Sequence, residues 1–484
     1  MSFPFGWRNW RRIGQEKVFA KAHNSAINPR GRRLLGFTRK TKIPIWAPKG
    51  HSLTLAPNGA GKTTKVLMPS LFSTLASSDR PAVLLLDSKD FEIARQVAPM
   101  LEEMGVPYVL LDDTGNLPAN FPGKVRFNPL SSVVDTFKVK PEDLAFANEA
   151  VTHTLIEEPE KDERNRYWRA WPRILISFAV HLLLKRNPDL VTPGGLWSLL
   201  SSPQKTVRFA EIEAIEGDGM LKVLAENIIG MSSHEHFPQH LQAAQDALRV
   251  YAIGSPLHTA GHQSNVSPGQ LISSQSVIFF GGSQANMGSM STHYGLTLTS
   301  FIRAAYQQKK PLWIGADEFT NAPTKQLVQS LTTLRAYQVE VSMIAQSRSE
   351  IERKLGRLET QTIDDNCILK QWLGFSYEEA KRVSDAMGEQ HAVATSVGQA
   401  GEWLKLNKNL SLIRQKWMSP AELMALNPNL MLIHIRGLGY YLAETVSQQN
   451  VDPYARLIAA NDMEGGRLTP DPKIWLTLPE EARP

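Results

Sequence analysis

Short apolar runs alternate along this chain with longer stretches in which apolar residues recur every three or four positions. Residues 82–87 (AVLLLD) and 108–112 (YVLLD) read as buried strands, separated by an amphipathic helix over 91–104. The series continues at 52–56, 276–281, 312–317, 339–346 and 367–372. Near-continuous apolar strands joined by helices imply an α/β fold with a mostly parallel sheet covered on both faces. Residues 430–436 and 440–444, joined by 437–439, read as a terminal hairpin.

Between about 150 and 270 the strand signal fades. Helical periodicity takes over at 167–184, 206–228 and 238–252. The pattern divides the chain into a basic arm (1–49), a nucleotide-binding unit in two pieces (50–150 and 270–455), an all-α insertion (151–269) and a tail (456–484). Pro470, Pro472, Pro479 and Pro484 mark that tail.

The 484 residues exceed one ordinary domain, and 42% hydrophobic content excludes a disordered chain. The lone cysteine, Cys367, excludes an internal disulfide and reads as a small buried apolar residue. The longest apolar run, 174–184, falls short of the roughly 20 residues that span a bilayer. No secretory signal is read at the start. The expected place is the cytoplasm, peripheral to the inner membrane.

Residues 1–49 carry twelve Lys or Arg against one acid, Glu16, so the basic character is concentrated there. Attraction to DNA phosphates or an anionic leaflet is one reading, and a solvated arm is the other. Trp7 and Trp10 among Arg8, Arg11 and Arg12 resemble interfacial anchors.

Candidate chemistry begins at residue 56. Ala56-Pro57-Asn58-Gly59-Ala60-Gly61-Lys62-Thr63 matches G-x-x-x-x-G-K-S/T except at its first position. Gly59 and Gly61 let backbone amides face phosphates, and the following helix N-terminus favours negative charge. Lys62 is placed to reach the β and γ phosphates of ATP, and the Thr63 hydroxyl to ligate Mg²⁺. Asn58, Gly59, Ala60, Gly61, Lys62, Thr63 and Thr64 form the expected nucleotide-binding set. Ala56 lacks glycine's freedom, so the first turn must work at negative φ.

The run Leu312-Trp313-Ile314-Gly315-Ala316 ends in two carboxylates, Asp317 and Glu318. Asp317 is expected to hold the magnesium and Glu318 to polarise the attacking water. A strand ending in a solvated acidic turn is the bland alternative. Gln346 ends the next apolar strand and is placed to sense the γ-phosphate or orient water; a hydrogen-bonded strand end is its alternative. Arg335 lies in a segment placed to reach a neighbouring subunit, where an arginine supplied in trans can raise the rate roughly 10³- to 10⁵-fold. A surface salt bridge explains it equally well.

Together, residues 56–63, Asp87-Ser88-Lys89, Phe127-Asn128-Pro129-Leu130, Asp317-Glu318-Phe319 and Ala345-Gln346-Ser347 resemble the type IV secretion coupling proteins. The resemblance covers roughly residues 45–455. It implies a RecA-like hexameric motor that binds ATP and Mg²⁺ between subunits. Its expected cargo is single-stranded DNA with an attached relaxase, delivered to a type IV secretion channel. It also implies that the helical insertion sits at the cytoplasmic mouth. Arg164, Arg166, Tyr167, Trp168, Arg169 and Trp171 enter that insertion, and their aromatics read as core.

Two departures are visible. Asp90 stands where the family has glycine after Asp-x-Lys, and the two transmembrane helices common in the family are not seen. A separate membrane anchor protein or peripheral docking by the basic arm is the expectation. Two rivals stand beside the coupling reading: a duplex DNA translocase of the chromosome-partition or packaging type, and a substrate receptor whose ATP site only stabilises assembly.

Overall fold

The apolar runs assemble into one sheet. The computed structural model describes residues 33–87, 89–158, 163–321, 325–399, 406–461 and 465–479. In chain order the strands are β1 (Leu34–Thr38), β2 (Pro44–Trp46), β3 (His51–Leu55), β4 (Ala82–Asp87), β5 (Tyr108–Leu111), β6 (Val277–Gly281), β7 (Leu312–Ala316), β8 (Val339–Ala345) and β9 (Cys367–Trp372). A hairpin of β10 (Glu389–Gln399) and β11 (Leu406–Lys416) follows, then β12 (Leu430–Ile435) and β13 (Gly439–Thr445).

Eleven of these strands form a sheet of order β2-β1-β13-β12-β9-β3-β8-β7-β4-β6-β5. The run from β9 to β5 is parallel, and the four strands beyond β9 extend it antiparallel. This is the expected α/β architecture with a RecA-like sheet.

Strand periodicity assigns the two faces. Leu84, Leu86, Ile314 and Ala316 point into a core shared with Leu175 and Phe178 of the helical region. Val83, Leu85 and Trp313 point to the opposite face, with Leu71, Phe72, Val97 and Leu101. Those four residues lie on α1 (Met68–Leu75) and α2 (Glu92–Glu103). Gly315 permits this closeness, because a Cβ there would meet Leu85 Cδ2 at 2.6 Å and Leu67 Cδ1 at 3.0 Å.

The helical region comprises α3 (Ser131–Val139), α4 (Leu144–Leu155), α5 (Arg166–Arg186), α6 (Pro193–Leu200), α7 (Pro203–Glu216), α8 (Gly219–Ser232), α9 (Phe237–Ala247) and α10 (Pro268–Ser273). α11 (Met287–Gln308) then returns the chain to the sheet. Helix thus begins at Ser131, upstream of residue 151. The helix expected over 206–228 is two helices, because Gly217-Asp218-Gly219 breaks it. Gly217 is extended, Gly219 has φ 49°, and a Cβ at Gly217 would strike Glu213 O at 2.2 Å.

Both terminal expectations need correction. The basic stretch expected to run to residue 49 includes β1 and β2, which lie within the sheet. Leu34, Phe37, Ile45 and Trp46 are buried, which outweighs the local positive charge. Residues 1–32, with Trp7 and Trp10, lie outside the described residues. The tail expected from 456 is in part packed: Ile474–Trp475 pairs in parallel with Val451–Asp452, and Leu476 is buried. Tyr454 Oη donates to Thr477 O at 3.0 Å, tying that segment to the body.

Hairpin β10–β11 was not read from the sequence. Its alternation of small and polar residues carries no sustained apolar run. Among the described residues, no helix is long and apolar enough to cross a membrane. Cys367 is buried, and burial pushes its thiol up to about 12.

Candidate functional site

Four adjacent strand ends build the site. β3 ends at Leu55, level with Ala345 of β8; β7 ends at Ala316, level with Met343 of β8 and Leu86 of β4. Segments that follow β3, β8, β7 and β4 therefore meet along one edge of the sheet. That edge carries the carboxyl ends of parallel strands, where α/β folds place their ligands.

After β3, Ala56 is buried, and its N–H donates to Ala345 O at 3.0 Å. It stays outside the positive-φ region, so alanine serves where glycine is usual. Gly59 (φ 75°) and Gly61 (φ 87°) make the left-handed steps of the turn. Space opens beside Gly59, where an added Cβ would meet nothing within 4 Å. Asn58 and Gly59 are exposed, and Ala60 and Gly61 half-buried. Lys62 then enters a π-helical turn, Thr63–Leu67, that continues as α1.

Two side chains of this turn meet the acids after β7. Lys62 Nζ is buried 3.2 Å from Glu318 Oε1, and the Thr63 hydroxyl donates to Asp317 Oδ2 at 2.7 Å. From β8, which lies between them, Gln346 Nε2 donates to Glu318 Oε2 at 3.2 Å. The Glu318 N–H donates to Asp317 Oδ1 at 3.0 Å, and Glu318 sits at φ 52°. A non-glycine residue in that region is a strained feature typical of functional sites.

Electrostatics separate the two acids. Burial raises the Asp317 carboxyl, against the opposing Thr63 hydroxyl and Lys89. Burial would raise Glu318 too, but the Lys62 ammonium, the Gln346 amide and Lys89 outweigh it and hold the carboxyl below the ordinary range. Glu318 is therefore an ionised acceptor at neutral pH.

The oxygens of Thr63 and Asp317 form a donor set that suits magnesium, a hard cation. Among the described residues no group of three His, Cys, Asp or Glu could hold a metal by itself. Magnesium that arrives with nucleotide phosphates needs only one or two protein oxygens, so the residues fit it.

Not every expected residue joins the cluster. Thr64 points elsewhere, into a cleft of about 990 Å³ with Arg39, Lys65, Asn429 and Asn450. Arg335 is exposed in the turn Arg335–Tyr337, before β8 begins. The whole of β8, seven residues and roughly 23 Å at 3.3 Å per residue, lies between it and Gln346. Arg335 lies away from the Lys62 turn of its own chain.

Lys89 joins the site without being among its expected residues. Its Nζ lies 3.7 Å from Glu318 Oε1. The Asp-x-Lys element was visible; that β4 would flank β7 was not. At the entrance to the helical region, Tyr167 and Trp168 are each 41% exposed, against the expectation that they are core. Their rings meet edge to face at 5.6 Å, and Arg164 and Arg166 beside them are exposed. Trp171, one turn on, is partly buried and packs against the core.

A glycine turn after one parallel strand faces two acids after another, with a third strand between them, in an α/β fold with a RecA-like sheet. Residues 311–428 match the family model described as the TraM recognition site of TraD and TraG. The structure is similar to the bacterial conjugative coupling protein TrwB in its unbound form, at 14% identity and TM-score 0.62, over 88% of this chain and 90% of that one.

TrwB in complex with ADP and Mg²⁺ aligns at 13% identity and TM-score 0.60, over 89% and 92%. VirB4 of Thermoanaerobacter pseudethanolicus aligns at 15% and 0.51, over 90% and 100%. No curated protein matches significantly by sequence. Residues 311–428 thus match that one family model, and nearly the whole chain has the fold of TrwB.

Proposed function

We propose that this chain is an ATP-hydrolysing motor that couples DNA to a type IV secretion channel. One observation carries the reading: Lys62 and Thr63 of the phosphate turn converge with Asp317, Glu318 and Gln346 at one sheet edge.

In this reading the turn amides and Lys62 hold the ATP phosphates. Thr63 and Asp317 hold magnesium, which when bound neutralises phosphate charge. Glu318, kept ionised, accepts the proton of the attacking water. Gln346 fixes the carboxylate from its other oxygen. Arg335, too far from its own site, reaches the site of a neighbour in a homo-hexamer and stabilises charge on the transferring phosphoryl group.

The cargo is single-stranded DNA carrying a relaxase, gripped through phosphates without sequence preference. The exposed Tyr167 and Trp168 beside Arg164 and Arg166 support contact with unpaired bases. Residues 311–428, matched by a model named for TraM recognition, are where a partner protein of that kind would dock. The chain works at the cytoplasmic side of the inner membrane, through its basic amino-terminal residues or a separate anchor protein.

ATP hydrolysis measured alone, with single-stranded DNA and with duplex tests this. Stimulation by single strands supports coupling. Stimulation by duplex alone favours a chromosome-type translocase, and no hydrolysis removes the motor.

A further inference from the structure

Glu318 is held by more groups than the phosphate loop supplies. Its Oε1 faces two ammonium groups, Lys62 at 3.2 Å and Lys89 at 3.7 Å, while Oε2 accepts from Gln346 at 3.2 Å. Lys62 belongs to the phosphate turn, and its chemistry is spent on phosphate. Lys89 comes from a separate strand end, after β4, on the other side of β7.

The backbone that presents Lys89 is built for one conformation. Asp90 (φ 52°) and Phe91 (φ 59°) are consecutive non-glycine residues in the left-handed region. Such residues persist only where their surroundings over-determine them. Here the Asp90 N–H donates to Gly282 O at 3.2 Å, and the Glu92 N–H to Lys89 O at 2.9 Å. The Arg95 guanidinium donates to Asp90 O at 3.1 Å, and Phe91 is fully buried. Asp87, also buried, accepts the Ala94 N–H at 2.7 Å and pins the first turn of α2. Asp90 thus occupies the region that glycine reaches freely, and its backbone is held there through both its N–H and its carbonyl.

We propose that Lys89 is a positioning residue for Glu318: it holds the carboxylate in place, opposite Gln346, while Lys62 engages the nucleotide phosphates. The inference rests on the reading of Glu318 as the group that activates water. Lys89 is 28% exposed at its side chain, so it can follow the carboxylate without unpacking a core. Two ligands from two strands, one on each oxygen, keep the carboxylate plane fixed; either alone leaves it free to turn.

The test uses the full chain with Lys89→Ala and Lys89→Arg, reading kcat, KM for ATP, ATP affinity by calorimetry and thermal melting. Lys89→Ala should lower kcat about 10- to 100-fold, the cost of a misplaced reacting group. ATP affinity and melting should not change. Lys89→Arg should recover most of kcat, since it restores a cation of similar reach.

Loss of ATP affinity in Lys89→Ala, as expected for Lys62→Ala, would make Lys89 a phosphate ligand and overturn the proposal. So would an unchanged kcat, or a lower melting temperature that arginine does not rescue. Wild-type protein that hydrolyses ATP while Lys89→Ala behaves identically sinks this inference alone. Wild-type protein without hydrolysis sinks the motor reading with it.

Discussion

Lys62 and Glu318 lie 256 positions apart in the chain and 3.2 Å apart in space. Both are buried, so the contact is shielded from water and salt. Gln346 and Lys89 also hold Glu318, and beside them Thr63 donates to Asp317. A pair of opposite charges this close has a direct consequence for substitution.

Lys62→Ala should abolish tight ATP binding and turnover while the fold persists. Glu318 keeps Gln346 and Lys89 as partners, so no carboxylate is left buried alone, and the loss of stability should stay near about 1–3 kcal/mol. Calorimetry with ATP and a denaturant melt check this. Unfolding at room temperature, or undiminished affinity, contradicts it.

His51 should make the protein acid-sensitive. It is buried at the start of β3, and burial, with the charges of Arg33 and Arg335, lowers it to about 4 from an ordinary 6.5. Its Nδ1 accepts the Val341 N–H at 3.1 Å, and its Nε2 lies 3.0 Å from Leu331 O, so the ring must be neutral to make both bonds. Between pH 6.5 and 4 the unfolded chain binds a proton that the folded chain refuses. Stability therefore rises with pH across that window and falls as pH drops through it. From pH 7 to 5 the loss should be about 2 kcal/mol. Denaturant midpoints for wild type and His51→Gln at both pH values check this; an equal loss in the two proteins contradicts it.

Arg335→Ala should lose turnover about 10³-fold while retaining ATP affinity. Mixing it with Lys62→Ala should restore part of the rate, because each subunit supplies what the other lacks. Turnover in mixed assemblies measures this. No recovery removes Arg335 from the neighbour's site.

Trp168→Ala should weaken binding of a thymine oligonucleotide about 5- to 100-fold, as expected for a lost stacking contact worth about 1–3 kcal/mol. ATP hydrolysis without DNA should be unchanged. Fluorescence anisotropy of a labelled oligonucleotide reads the effect, and unaltered affinity contradicts it.

Much of this was legible in the sequence because buried parallel strands write their period plainly. The runs at 82–87, 312–317 and 339–346 are strands as expected, and Gly59, Gly61, Lys62 and Thr63 form the turn. The hairpin of β12 and β13 was equally visible. What stayed hidden depends on strand order, which periodicity does not encode. Lys89 gains its meaning only because β4 flanks β7. The sheet's edge was missed for a different reason: Arg33, Arg39, Lys40 and Lys42 dominate the look of 33–49, while a few apolar residues decide its burial. Tyr167 and Trp168 share helical spacing with true core residues, and spacing alone does not tell which face is covered.

Glu318→Gln is the most direct measurement. It keeps the side chain's size and removes the proton acceptor, so ATP should bind with wild-type affinity while hydrolysis falls at least about 100-fold. A Glu318→Gln protein that hydrolyses ATP at the wild-type rate, or a wild-type protein that binds no ATP, contradicts the convergence of turn and acids on one nucleotide.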